Sequence, residues 1–70
     1  MVGIELVNQT SESLFVWING ITYDLDPYEL KTLNFKEAEI QYFAAAPSIF
    51  PVFGTEVLQH GYSYTWKFGL

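Results

Sequence analysis

The sequence predicts an all-β domain, a small antiparallel β-sandwich or partly open barrel of six to seven short strands. Three observations carry this. Apolar and polar residues alternate at period two through much of the chain, as in half-buried strands. Turn-forming residues recur roughly every 8–12 positions, the spacing of sandwiches and barrels. Asn19-Gly20 stands between two β-rich runs, and both residues tolerate the positive φ of a type I′ hairpin turn.

The first strand carries Ile4 and Leu6 around Glu5 and ends in the polar turn Asn8-Gln9-Thr10-Ser11-Glu12-Ser13. The Asn-Gly turn then sets a hairpin register: Ile18 faces Ile21, Val16 faces Tyr23 and Leu14 faces Leu25, all on one face. The other face carries Phe15 and Trp17, opposite Asp24 and Thr22. Asp26-Pro27-Tyr28-Glu29 reads as a tight turn with Pro27 presetting φ. Residues 30–35 form the next strand, with Lys31, Leu33 and Phe35 sharing a face, and residues 40–44 the one after. A Pro-bounded loop is expected at 45–51, then a broken strand at 52–58 with a bulge or bend at Gly54. After the turn Gln59-His60-Gly61, Tyr62, Tyr64, Trp66 and Phe68 alternate with Ser63, Thr65 and Lys67 in a last strand. Only 27–31 and 36–41 have a pattern compatible with a helical turn.

Seventy residues suffice for one domain, 1–70, and leave no room for a large buried active-site cavity. Folding removes about 7,000 Å² from water, of which ~4,300 Å² is apolar and contributes ~105 kcal/mol. Ordering the chain at ~1.5 kcal/mol per residue costs about the same, so the margin is thin. With no cysteine, neither a disulfide nor a thiolate metal site supplements the core.

The motifs Ile4-Glu5-Leu6-Val7-Asn8-Gln9-Thr10, Val16-Trp17-Ile18-Asn19-Gly20 and Tyr23-Asp24-Leu25-Asp26-Pro27-Tyr28-Glu29 form a cadence over residues 4–33. It resembles the start of the β-sandwich of the von Hippel–Lindau tumour-suppressor family: an Asn-x-Ser/Thr turn, an aromatic strand and a Leu-x-Pro-Gly-Glu-like corner. Tyr28 stands where Gly is usual in that corner. The resemblance implies an Ig-like sandwich. It implies no hydroxyproline pocket, because the run Glu39-Ile40-Gln41-Tyr42-Phe43 has neither residue of the family's His-x-Trp strand.

Charge narrows the function classes. Eight acids against Lys31, Lys36 and Lys67, with no arginine, give a net charge of −5. Phosphate contacts supply most non-specific nucleic-acid affinity, so neither nucleic acid nor an anionic membrane is an expected partner. DNA mimicry requires about one negative charge per ~1.7 Å of duplex axis, which eight interspersed acids do not reach. Met1-Val2-Gly3 opens into a strand without a basic and apolar leader, and no apolar run reaches the roughly 20 residues of a membrane span. A cytoplasmic location is the expectation, in which the formal glycosylation acceptor Asn8-Gln9-Thr10 stays unused.

Candidate chemistry is sparse. His60 is the single histidine and falls on a turn, with no orienting acid or hydroxyl placed to make it a general base. Asp24, Asp26 and Glu29 gather at one turn but lack the loop pattern of a calcium site. No metal, cofactor or catalytic residue is expected. The aromatics are more telling: two Trp, five Tyr and six Phe make up 19% of the chain, more than one thin sandwich readily buries. Phe15 and Trp17 lie opposite the aliphatic face, either under another element or as a surface patch. Ile49 and Phe50 lie in the stiff apolar stretch between Pro47 and Pro51, which either plugs the open end of the sandwich or inserts into a partner. These four are the candidate partner-binding residues. The leading expectation is a non-enzymatic protein-interaction module, an adaptor or inhibitor docking on a larger protein. The alternatives are a homodimer paired through edge strands and a carbohydrate-binding module in which Trp17, Trp66 or Tyr62 stacks on sugar.

Overall fold

A strand of period two has one apolar face, which a second layer must cover. In the computed structural model, which describes residues 1–69, seven strands supply two such layers. They are β1 (Val2–Asn8), β2 (Leu14–Ile18), β3 (Ile21–Leu25), β4 (Leu30–Phe35), β5 (Glu39–Ala46), β6 (Ile49–Val57) and β7 (Ser63–Phe68). One sheet has the order β4-β1-β7 and the other β3-β2-β5-β6. All pairings are antiparallel except β1 with β7, which run parallel. The fold is the expected all-β sandwich. The stretches 27–31 and 36–41 hold no helix: their residues belong to β4, β5 and the connecting turns.

The core lies between the central strands. Val2, Ile4 and Leu6 of β1 and Leu14, Val16 and Ile18 of β2 are buried, and Leu25, Phe35, Ile40, Ala44 and Phe68 complete the interior. The accessible surface is 4481 Å², matching the roughly 4,500 Å² expected of a folded chain this size.

The Asn-Gly hairpin has the register that its turn dictates, Ile18 with Ile21, Val16 with Tyr23 and Leu14 with Leu25. Asn19 and Gly20 have φ of 46° and 92°, as type I′ geometry requires. Asn19 also reaches the next strand: its Oδ1 accepts from Gln41 N–H (2.8 Å) and its Nδ2 donates to the Glu39 carbonyl (3.2 Å).

The turn at 26–29 closes with Glu29 N–H donating to the Asp26 carbonyl (3.0 Å), while Glu29 Oε1 accepts from Asp26 N–H (2.7 Å). Tyr28 takes φ of 60°, a left-handed conformation that strains a residue bearing Cβ. Its ring is exposed. Tyr28→Gly is therefore expected to raise the unfolding free energy by about 0.5–1 kcal/mol in urea titration, the strain relieved less the added chain entropy of glycine.

Two expectations fail in the second half. Residues 45–51 are not a loop: β5 runs to Ala46, residues 47–48 turn, and β6 begins at Ile49. Pro51 is tolerated in β6 because of phase. Leu58 N–H donates to the Ala38 carbonyl (2.8 Å), continuing a register in which Glu56, Gly54 and Val52 pair with Ile40, Tyr42 and Ala44. Even-numbered residues therefore bond to β5, and odd-numbered ones such as Pro51 point their backbone away, where a missing N–H costs no ladder bond. The bulge lies between Ala44 and Ala46, not at Gly54. Gly54 serves a close approach instead: a Cβ there would lie 3.2 Å from Tyr42 Oη, a tight contact that the ring would have to yield to by a few tenths of an ångström. The Tyr42 ring crosses it to pack on Trp66 of the other sheet, with centroids 5.0 Å apart.

Candidate functional site

Strand alternation puts Phe15 and Trp17 on the solvent side of the four-stranded sheet, since Leu14, Val16 and Ile18 face the core. The register then places Trp17 beside Phe43 and Phe43 beside Phe53, a row across β2, β5 and β6. Phe43 is its centre, with its ring 6.3 Å from Phe15 edge to face and 6.4 Å from Phe53 in a stacked arrangement. Phe15 is 41% and Phe53 72% exposed, and Phe43 is also exposed. Of the thirteen aromatics Phe35 and Phe68 are buried, and Tyr23, Tyr42, Tyr64 and Trp66 pack half-buried against the core. Trp17 is half-buried on the outer face, and Phe15, Tyr28, Phe43, Phe50, Phe53 and Tyr62 stay exposed.

The structure thus brings Phe15 and Trp17 together and adds Phe43 and Phe53, which the sequence pattern alone did not single out. The signal was present: Phe43 and Phe53 take the outward phase once β5 and β6 are paired about a turn at 47–48. Reading 45–51 as a loop concealed it.

Ile49 and Phe50 lie elsewhere, at the start of β6 beside the turn. Ile49 is half-buried and Phe50 is 92% exposed. They border a shallow groove with Thr10, Glu12, Tyr28 and Ser48 at one end of the sandwich. Glu12 fastens this end: its Oε2 accepts from Ser48 N–H (3.0 Å) and its Oε1 from Ser48 Oγ (2.6 Å). Glu12→Ala is expected to raise amide exchange at Ser48 about tenfold, with a stability loss of about 1 kcal/mol or less, because charge-assisted bonds at an exposed site contribute modestly.

A second opening lies between the free edges of β6 and β7. It is a largely apolar cleft of about 350 Å³ bounded by Tyr42, Ile49, Val52, Trp66 and Phe68, with Glu56 and Lys67 at its border.

The remaining candidates separate. His60 is exposed on the turn before Gly61, whose φ is 86°. Glu29 spends one carboxylate oxygen on the Asp26 backbone, and no three His, Cys, Asp or Glu side chains among the described residues are grouped to hold a metal ion. Asn8, the formal glycan acceptor, is buried with its amide committed inside the fold. Among the described residues no helix is long and apolar enough to cross a membrane. Comparison with protein-family models, curated proteins and solved structures finds no match for the chain.

Proposed function

We propose that the chain is a small acidic, non-enzymatic protein-interaction module that docks on a larger protein through Phe15, Trp17, Phe43 and Phe53. The observation that supports this reading is the row of outward rings crossing three adjacent strands, with no element among the described residues laid over it. Aromatic residues are the side chains that most often dominate binding energy, and a contiguous exposed set marks an interaction surface. Ile49 and Phe50 form a separate apolar tip, a secondary contact in this reading. The likeness of residues 4–33 to the von Hippel–Lindau sandwich enters at the level of fold alone, since a fold does not fix a function.

Affinity capture from native lysate tests the reading with two variants, Trp17→Ala on the row and Phe50→Ala on the tip. A protein retained by wild type and by Phe50→Ala but lost with a folded Trp17→Ala supports docking by the row. Equal retention by wild type and both variants contradicts it.

A further inference from the structure

A sandwich of two open sheets has four edge strands, here β3, β6, β4 and β7. Each exposes the backbone N–H and C=O groups of alternate residues, and proteins blunt such edges with polar side chains and charge. Bonds at the strand ends fix which residues those are. In the β2–β3 hairpin the closing pair Ile18–Ile21 leaves Thr22 and Asp24 of β3 facing out. Asn8 N–H donates to the Glu29 carbonyl (2.9 Å), which leaves Leu30, Thr32 and Asn34 of β4 free. Gly3 N–H donates to the Tyr62 carbonyl (3.1 Å) and Gln9 N–H to the Phe68 carbonyl (2.9 Å), which leaves Ser63, Thr65 and Lys67 of β7. β3 and β7 are therefore polar or charged at every free position, and β4 at all but Leu30 at its start.

β6 breaks the pattern. Its free positions are Phe53, Thr55 and Val57, with Phe53 and Val57 exposed by 72% and 76%. Pro51 has no N–H to offer, so the usable edge runs from 53 to 57. On the other side of the strand, Val52 and Glu56 flank the cleft against Trp66, Lys67 and Phe68.

We propose that the β6 edge takes up an extended strand of the protein partner, extending the four-stranded sheet, with alternate side chains entering the cleft and a basic residue among them facing Glu56. Backbone bonds at 53, 55 and 57 supply affinity, and the alternating pockets supply selection, as in other strand additions. This rests on the reading of the chain as a protein-binding module, and it names the partner's conformation and charge. The aromatic row ends at Phe53, so the added strand continues it by one position. A second copy of the chain is the poorer occupant: pairing β6 with β6 brings two chains of net charge −5 together and sets the other copy's Glu56 carboxylate on the apolar, core-facing side.

The test uses the end-blocked heptapeptide Thr-Val-Tyr-Lys-Tyr-Val-Thr with the full chain, read by residue-resolved amide exchange. Binding is expected to slow exchange at Phe53, Thr55 and Val57 about tenfold and to leave Thr22, Asp24, Thr32, Asn34, Ser63 and Thr65 unchanged. N-methylation at the two Tyr residues is expected to abolish binding, whereas N-methylation at the two Val residues is tolerated. Replacing the peptide's Lys by Glu is expected to weaken it about fivefold. Binding without protection at 53, 55 and 57, or no binding at millimolar peptide, overturns the strand addition. If a captured partner is at the same time still lost with Trp17→Ala, the docking reading survives that failure. Protection at those amides without peptide, growing with protein concentration, overturns it in favour of self-pairing.

Discussion

Asn8→Ala is expected to lower the unfolding free energy by about 3 kcal/mol, a large share of the roughly 3.5–10 kcal/mol available to a domain of this length. Asn8 ends β1 at the corner where two loops meet, and its side chain joins them. Its Nδ2 donates to the carbonyls of Glu12 (2.7 Å) and Asp26 (2.9 Å), while its Oδ1 accepts from Thr10 N–H (3.0 Å) and Thr10 Oγ1 (2.7 Å). Tyr28 N–H donates to the Thr10 carbonyl (3.1 Å), so the network holds the β1–β2 loop against the β3–β4 turn. Alanine would remove these four hydrogen bonds at about 0.5–1.5 kcal/mol each and leave Thr10 N–H without its acceptor. The Glu12 and Asp26 carbonyls keep Thr10 Oγ1 and Glu29 N–H. Asn8→Asp preserves size and the acceptor for Thr10 but sets oxygen against two carbonyls, and is expected to lose at least as much. Urea unfolding checks both. A loss under about 1 kcal/mol for Asn8→Ala would mean that the network adds little to the fold.

Phe43→Ser is expected to weaken partner binding about thirtyfold while lowering stability by only about 1 kcal/mol. Phe43 is the ring with aromatic neighbours on both sides, Phe15 and Phe53, and with Trp17 as its cross-strand partner. A central aromatic in a contact patch commonly carries about 2 kcal/mol or more of binding energy, equivalent to about thirtyfold. Its contribution to the fold is limited to aromatic pairing of about 0.5–1.5 kcal/mol, because the ring is exposed on a sheet face rather than packed in the core. Titration of the captured partner beside an unfolding curve separates the two. A stability loss of about 3 kcal/mol, typical of a truncated core aromatic, would assign the ring to structure instead.

The contrast between these sites shows what local pattern conveys. The β2–β3 hairpin was legible because its turn, its register and its inward face follow from residues 14–25, although Ile21 at the turn end of that face is exposed. The alternation of Tyr64, Trp66 and Phe68 likewise gave the inward face of β7. The parallel pairing of β1 with β7 was not, since the two strands lie at opposite ends of the chain and no turn links them. Asn8 read as part of a polar turn, and its role depends on carbonyls 4 and 18 residues away. Residues 45–51 misled because proline signals a loop unless the strand's phase is known, and that phase is set by pairing with β5. The same error hid half of the aromatic row. Phe15 and Trp17 were found from alternation alone, but Phe43 and Phe53 join them only through cross-strand register.

Whether the outward rings of β2, β5 and β6 exist for contact is decided by recording the aromatic side-chain resonances of the isotopically labelled chain as the captured partner is added. Docking by the row is expected to shift the signals of Phe15, Trp17, Phe43 and Phe53 together, while those of Phe35 and Phe68 in the core stay in place. Shifts confined to Phe50 and Tyr28 at the end of the sandwich, with the row unmoved, would contradict it.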